Sequence, residues 1–275
     1  MNGIEKLINN IYIRLYKKVF DTKTLTDLLQ GSRVLVQTKI SLLATSEQYN
    51  KFAEKFSIIL AKKGLNQQKG IWRKYFEAAK KLHYVGLPHT YSEFEKQIQA
   101  DAIKENFKMI KTIPREILKL SEHKYVTTLI EEVMEGKLSR GSFKKQLQSH
   151  GHKNAGVIAR TETAKLQTSI LKNRATKLGS KAYIWLSSND QRTRPSHRAM
   201  NGVVVFWKSA DQKPLLDNMR GDAGEFPNCR CSPEPILDVD DLTKTTYKVY
   251  NYLTDKVITM NKKDLIDNLE RGNLS

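Results

Sequence analysis

The spacing of apolar residues changes once along this chain, and that change constrains the fold more than any other feature. Up to about residue 150 the spacing is three to four residues, which is typical of amphipathic helices. The first such stripe comprises Ile4, Leu7, Ile8, Ile11, Leu15 and Val19. After Ser180, branched and aromatic residues stand in short runs, which indicates strands. The sequence therefore predicts an α+β protein with a helical first part.

Several further helices are expected in the first 150 residues. Ser46 should begin a helix with an apolar stripe from Tyr49 to Leu60, and Gly64 should end it. Three more are predicted near residues 68–83, 92–112 and 121–135. The residues expected to separate helices are Gly86, Pro88, Pro114 and Gly136. Stripes of this kind are the ordinary core of a helical bundle, and nothing in this part suggests catalysis.

A small α+β module is predicted at about 151–235. It begins with a long basic helix from Gly151 to Gly179, followed by strands at 182–186 and 203–207 and a third strand after Cys231. These strands predict a short antiparallel sheet. The remaining tail, 236–275, suggests a hairpin around Thr254 and a final helix at about 262–270. The sequence thus divides into a helical region at 1–150, the module at 151–235 and the tail at 236–275.

The formal net charge is +18, which favours a polyanionic partner, most commonly nucleic acid. Solvated, lysine-rich helices are the alternative explanation. The basic helix carries seven basic residues and one acid between positions 153 and 181. We therefore predict non-specific binding of double-stranded DNA through its phosphates. The candidate residues are Lys153, Lys165, Lys172, Arg174, Lys177 and Lys181.

Hydropathy and cysteine usage favour a protein made in a reducing cytoplasm. No apolar run reaches the roughly 18–20 residues of a membrane helix, and the N-terminus lacks the apolar core of a secretory signal. The two cysteines, Cys229 and Cys231, are one residue apart, and a bridge between them would be strained and would close almost no loop.

Polar residues concentrate in three short segments, which begin at Ala159, Asn189 and Pro227. Arginine forks bind carboxylates through two hydrogen bonds and fix loops in modules too small for a large apolar core. The sequence therefore predicts a structural polar network; a ligand or nucleic-acid site is the alternative. Its predicted members are Arg160, Glu162, Asp190, Arg192, Arg194 and His197.

Three residues in these segments are possible ligands for a soft metal: His197, Cys229 and Cys231. A structural zinc site needs four ligands, so Asp190 or a histidine of the helical region would have to complete it. The sequence therefore favours cysteines that pack in the module and predicts no metal and no cofactor.

An enzyme built on these residues is the alternative function. His197 with Asp190 and Asn201 could in principle serve a nuclease or a toxin-like nucleic-acid enzyme that also uses Cys229 and Cys231. However, the sequence shows no second carboxylate at useful spacing, no phosphate-binding glycine loop and no nucleophile with an identifiable base. A non-enzymatic function is therefore predicted.

Three motifs follow one another along the chain: Ala159-Arg-Thr-Glu, Asp190-Gln-Arg-Thr-Arg and Pro227-Asn-Cys-Arg-Cys. Their order and spacing resemble the phage Mu F-like minor head protein family. The resemblance covers about residues 120–235. Some members carry a Cys-x-x-Cys pair at the positions of Arg194 and His197 and a histidine at that of Phe226, and those members look zinc-competent. This chain departs from them at these positions.

The resemblance implies a minor capsid protein that acts in head morphogenesis. Its implied partners are the portal protein, the scaffold or major capsid protein, and packaged DNA, with no membrane. The implied location is the interior of the virion capsid, after assembly in the host cytoplasm. The variable helical region, 1–150, is then expected to contact the portal or capsid.

Overall fold

The computed structural model describes the chain except for residues 1–2, 22–25, 27–28, 30–32, 67–68, 82–85, 122–123 and 275. Long helices make up the described part of the chain before residue 178, as the apolar spacing predicts. They are α1 (Gly3–Val19), α2 (Arg33–Thr45), α3 (Glu47–Leu65), α4 (Lys69–Lys81), α5 (Tyr91–Ser121), α6 (Lys124–Met134) and α7 (Arg140–Lys177). None of the helices in the described part of the chain is long and apolar enough to cross a bilayer.

Helix α5 runs through Pro114, although the sequence predicted a break there. Proline has no amide hydrogen, so the carbonyl of Ile110, four residues earlier, loses its helical partner. The hydroxyl of Tyr49 donates a hydrogen bond to that carbonyl. A side chain distant in sequence thus satisfies the acceptor that the proline leaves open.

Gly64 is the penultimate residue of α3, which ends at Leu65, within one residue of the expected position. A Cβ at this position would stand 2.5 Å from the Cδ1 atom of Ile170 in α7. Close packing against α7 thus adds a second reason for glycine at this position.

The second part of the chain forms a five-stranded sheet in the order β5-β1-β2-β6-β7. The strands are β1 (Ala182–Leu186), β2 (Val204–Phe206), β5 (Ser232–Pro235), β6 (Thr246–Asn251) and β7 (Lys256–Asn261); β3 (Leu215–Leu216) and β4 (Met219–Arg220) form a separate hairpin. Three pairings are antiparallel, and the β2–β6 pairing is parallel. The α+β class is confirmed, and the sheet is mixed where the sequence suggested an antiparallel one.

Alternation along β1 assigns its side chains to opposite faces of the sheet. On one face, Ala182 packs in a cluster with Leu265 and Leu269 of the last helix, α9 (Lys262–Arg271). On the other face, Tyr183 and Trp185 pack in a cluster that contains both cysteines. The motif loops therefore lie on the face of the sheet opposite to α9.

Contacts group the chain into two compact units. One comprises residues 1–63 and 103–163, and the other comprises 64–102 and 164–275. The division expected from the sequence, at 150 and 235, follows composition and not these contacts. In particular, β6 and β7 of the predicted tail belong to the same sheet as β1 and β2.

Candidate functional site

Asp190 organises the first motif loop, between β1 and the short helix α8 (Pro195–Ala199). Its carboxylate accepts hydrogen bonds from the Thr193 hydroxyl at 3.1 Å and from the Arg192 backbone amide at 3.0 Å. Its own backbone carbonyl accepts from the Arg198 guanidinium at 2.8 Å. The preceding Asn189 has a φ of 49°, a conformation that asparagine tolerates better than most residues. These contacts fix a compact turn.

Arg230 joins the second motif loop to the first. Its guanidinium binds both carboxylate oxygens of Asp190; its Nη2 atom lies 2.6 Å from Oδ1. The Arg230 contact, together with the Thr193 and Arg192 hydrogen bonds, lowers the pKa of Asp190 to about 2. The carboxylate is therefore ionised at neutral pH. Arg230, the bidentate partner of Asp190, is 40 residues away in sequence. Arg192, which the sequence suggested as a partner, contacts Asp190 through its backbone amide.

Asp217 is the residue of this site that the sequence reasoning missed. It lies in the two-residue turn of the β3–β4 hairpin, where Asp217 and Asn218 have φ values of 52° and 62°. Its carboxylate accepts from the Ser196 hydroxyl at 2.8 Å and lies 3.3 Å from the Nε atom of Arg194. An Asp-Asn pair at such a turn is a recognisable hairpin signal. The sequence alone did not indicate that the turn would face α8.

His197 lies between this carboxylate and the two cysteines. Its Nδ1 atom is 3.4 Å from the Sγ atom of Cys229 and 3.6 Å from that of Cys231. Its Nε2 atom is 3.6 Å from Oδ2 of Asp217. The side chain is 2% exposed, and both cysteines are buried. The structure thus brings together the three soft ligands that the sequence singled out.

The two thiols share their protons unequally. A hydrogen bond from the Cys231 side chain, assisted by His197, lowers the pKa of Cys229 to about 4. The same interaction with Cys229 raises the pKa of Cys231 above its ordinary value. A cavity of about 20 Å³ adjoins both cysteines and His197.

A second buried polar cluster, which the sequence reasoning also missed, surrounds Asp222. This carboxylate is fully buried and lies 3.1 Å from Nζ of Lys172 and 3.2 Å from Nζ of Lys213. The Tyr183 hydroxyl donates to it at 3.2 Å. Glu225 accepts from the Asp222 backbone amide at 2.8 Å and pairs with Lys213 at 2.6 Å. Burial opposes the charge of Glu225, but Lys213 outweighs it and lowers the pKa of Glu225.

Gly224 closes this loop in the left-handed region, with a φ of 92°. A Cβ here would stand 2.5 Å from the Thr168 hydroxyl and 3.2 Å from the carbonyl oxygen of Cys231. The Thr168 hydroxyl donates to the carbonyl of Ala223 at 2.8 Å. Glycine is thus required both by the backbone conformation and by the close approach of α7.

The other predicted network members, Arg160 and Glu162, lie on α7. Arg160 is exposed and Glu162 is half-buried, and both take part in interactions within the structure. The contact between these two residues and the Asp190 loop stays a prediction.

Two of the six DNA candidates are engaged inside the protein. Arg174 is 2% exposed and binds Glu95 through two hydrogen bonds of 3.0 and 2.9 Å, so the structure removes it from the DNA-binding set. Lys172 is held by Asp222. The remaining four candidates are exposed residues: Lys153, Lys165, Lys177 and Lys181.

Comparison with known proteins supports the resemblance. The chain is 29% identical over 130 residues to an uncharacterized protein of Haemophilus influenzae, a match that covers 45% of this chain and 28% of that protein. The chain therefore spans less than a third of this relative's length. No solved structure matches the chain. Residues 123–233 match the family described as Phage Mu protein F like protein. This segment contains both motif loops and all of α7, and it is the part of the chain that is similar to the Phage Mu protein F like family.

Proposed function

We propose that this protein is a phage minor head protein that acts in head morphogenesis, associates with the portal and binds packaged DNA without sequence preference. The observation that carries the proposal is the family match over residues 123–233. An ion pair between Asp190 and Arg230 joins the two motif loops, and His197, Cys229 and Cys231 are buried beside them, which supports a structural role. We place the protein inside the capsid of the virion, after assembly in the host cytoplasm.

Helix α4 offers a surface suited to the portal contact. Ile71 and Tyr75 are 51% and 43% exposed and stand four residues apart, so they lie on one face of the helix. Trp72 and Phe76 are buried on its other side. Helices that dock into grooves do so through apolar side chains three or four residues apart on one face, and these two residues fit that pattern.

Co-expression of the full chain with its cognate portal, scaffold and major capsid proteins tests this contact. Replacing Ile71 and Tyr75 by lysine should abolish co-purification with portal and reduce incorporation into proheads. Leu253→Lys is the matched control, because Leu253 is 68% exposed but lies in the β6–β7 turn. The full chain is used because a cut at residue 150 would interrupt α7. A full-length protein that associates with neither portal, scaffold nor heads would refute the assembly proposal.

The basic residues of α7 and its C-terminal flank are proposed to contact DNA phosphates. Each phosphate contact contributes about −0.9 to the slope of log K against log salt on double-stranded DNA. Four contacts would therefore contribute about −3.6, and replacing the four lysines by glutamine should flatten the slope by about that amount. The substituted residues are Lys153, Lys165, Lys177 and Lys181.

A control variant removes four other exposed lysines that pair with nearby glutamates. These are Lys51, Lys108, Lys119 and Lys137, whose side chains are 60–73% exposed. It should keep a slope close to that of the parent. An equal loss in both variants would mean that binding follows net charge and not α7. Absence of any mobility shift at low salt would remove the DNA part of the proposal.

A nuclease or toxin-like activity centred on His197, Cys229 and Cys231 is the competing function. The His197 ring is 2% exposed, and its nitrogens face the cysteines and Asp217, so it presents no free base to a phosphodiester. This geometry supports the non-enzymatic function. Incubation with plasmid and divalent metals tests it: nicking that is lost in His197→Ala would favour the nuclease.

Mass spectrometry of intact virions and of emptied heads tests the location. The protein should be present in the virion. Its loss from emptied heads would further show that it leaves with the DNA.

A further inference from the structure

His197, Cys229 and Cys231 have the arrangement of a tetrahedral metal site. Zinc binds imidazole nitrogen at about 2.05 Å and thiolate sulfur at about 2.3 Å, so the nitrogen-to-sulfur edge of a tetrahedral site is about 3.6 Å. The Nδ1 atom of His197 lies 3.4 and 3.6 Å from the two Sγ atoms. All three candidate ligand atoms lie within 4.8 Å of one another, and all three residues are buried.

Hydrogen bonding within the described residues leaves part of this arrangement unsatisfied. A neutral imidazole accepts one hydrogen bond through its unprotonated nitrogen. Here two sulfur atoms converge on the same nitrogen of His197, and the other nitrogen, Nε2, is buried without a hydrogen-bond partner in the described part of the chain. A cation bound to Nδ1 and to both thiolates would engage all three ligands at once.

Asp217 is placed to orient the histidine. Its Oδ2 atom lies 3.6 Å from Nε2, and the carboxylate is itself held by Ser196 at 2.8 Å and Arg194 at 3.3 Å. Histidines that bind metals usually donate their second nitrogen to a carboxylate or a carbonyl, which fixes the tautomer. A shift of a few tenths of an ångström would complete that hydrogen bond.

The cavity beside the three residues supplies room for a fourth ligand. Its volume is about 20 Å³. A site needs roughly 10–15 Å³ to accept one water molecule. No further His, Cys, Asp or Glu joins the group within the described residues. Three protein ligands with an open fourth position is an established zinc arrangement.

We propose that His197, Cys229 and Cys231 bind one Zn²⁺ ion, with a water molecule in the fourth position and Asp217 as the positioning carboxylate. This departs from the sequence-based expectation of no metal, which depended on the count of ligands and not on their geometry. The ion would connect α8, the loop 227–231 and the start of β5, and so would stabilise the sheet face opposite to α9.

The experiment uses the full chain, reduced and stripped of metal, and titrates it with Zn²⁺ and, separately, with Co²⁺. We expect about one equivalent of zinc to bind and the melting temperature to rise. Co²⁺ should give a sulfur-to-metal charge-transfer band and the intense visible bands of four-coordinate cobalt. A parent protein that binds no zinc after gel filtration and shows no charge-transfer band would overturn the proposal.

Variants locate the site. Cys229→Ser and Cys231→Ser should each lose the charge-transfer band, whereas His89→Asn should keep it, because His89 is exposed and lies outside the module. Asp217→Asn should weaken zinc affinity about 10- to 100-fold while leaving the cobalt band in place. A band that survives both cysteine substitutions would mean that the metal binds elsewhere, and the proposal would be wrong. Circular dichroism of each variant distinguishes lost ligands from lost fold.

Discussion

Replacing Glu95 tests whether Arg174 is a buried structural residue or a DNA contact. Arg174 lies on α7 and Glu95 on α5, in the same compact unit. The guanidinium also donates to the backbone carbonyl of Leu65 at 2.8 Å and lies 5.7 Å from the centre of the Trp72 ring. Glu95→Ala would leave a buried cation without its carboxylate, whereas the basic-helix interpretation predicts no effect on stability.

The expected cost follows from burial. The Arg174 side chain is 2% exposed and that of Glu95 is 14% exposed. Removing one partner of a buried ion pair typically costs about 3–5 kcal/mol. Because Glu95 keeps some exposure and Leu65 keeps its hydrogen bond, we expect the lower end, about 3 kcal/mol. At about 2–4 °C for each kcal/mol, the melting temperature should fall by about 6–12 °C. Urea unfolding followed by circular dichroism measures the same change.

Two further variants decide the interpretation. Glu105→Ala removes an exposed carboxylate of the same helix, α5, whose partner Lys108 is 60% exposed; it should cost at most about 1 kcal/mol. The double replacement of Arg174 by Met and Glu95 by Leu should recover most of the lost stability, because the uncompensated charge is gone. If Glu95→Ala costs no more than Glu105→Ala, or if the double variant is less stable than Glu95→Ala, the reasoning is refuted.

Three other perturbations have definite expected outcomes. Tyr49→Phe should lower the free energy of unfolding, measured with urea, by about 1–3 kcal/mol, because it leaves the Ile110 carbonyl without its donor. In a Pro114→Ala background the same change should cost clearly less, because a backbone amide returns to that carbonyl. Equal costs in the two backgrounds would contradict this account. Hydrogen bonds from Arg220 and Tyr250 lower the pKa of Asp255 from 3.8 to about 2. The ionised Asp255 carboxylate therefore stabilises the fold above pH 3.8, and this contribution is lost as the pH falls towards 2. In Asp255→Asn this part of the acid unfolding transition should be absent. Gly224→Ala should lower the melting temperature, because its φ of 92° and close contacts exclude a side chain.

Local patterns predicted the elements of the fold well where local physics determines them. The strands at 182–186 and after Cys231, the hairpin at Thr254 and the last helix all lie close to their predicted positions. The error at Pro114 has a tertiary cause. Proline breaks helices by propensity, but here a tyrosine hydroxyl distant in sequence satisfies the carbonyl that Pro114 leaves without a partner.

The sequence singled out His197, Cys229 and Cys231, which lie together in the structure, but it did not indicate the ion pairs of the site. Asp190 was expected to pair with neighbouring arginines, and it pairs instead with Arg230. Asp217 and Asp222 stand in an ordinary turn and an ordinary loop, and their importance arises from the side chains that the fold brings to them. Ion pairs with partners 20 to 50 residues away depend on the tertiary structure, and no local spacing encodes them.

The same argument limits what a basic segment implies about DNA. A charge count treats the six candidate residues alike, and six phosphate contacts would predict a salt slope of about −5.4. Two of those six candidates neutralise carboxylates inside the protein: Lys172 with Asp222 and Arg174 with Glu95. A cation already bound to a buried carboxylate releases no counterions from DNA, so the expected contribution falls to about −3.6. The measured slope therefore distinguishes a phosphate-binding face from a helix whose charges partly serve its own fold.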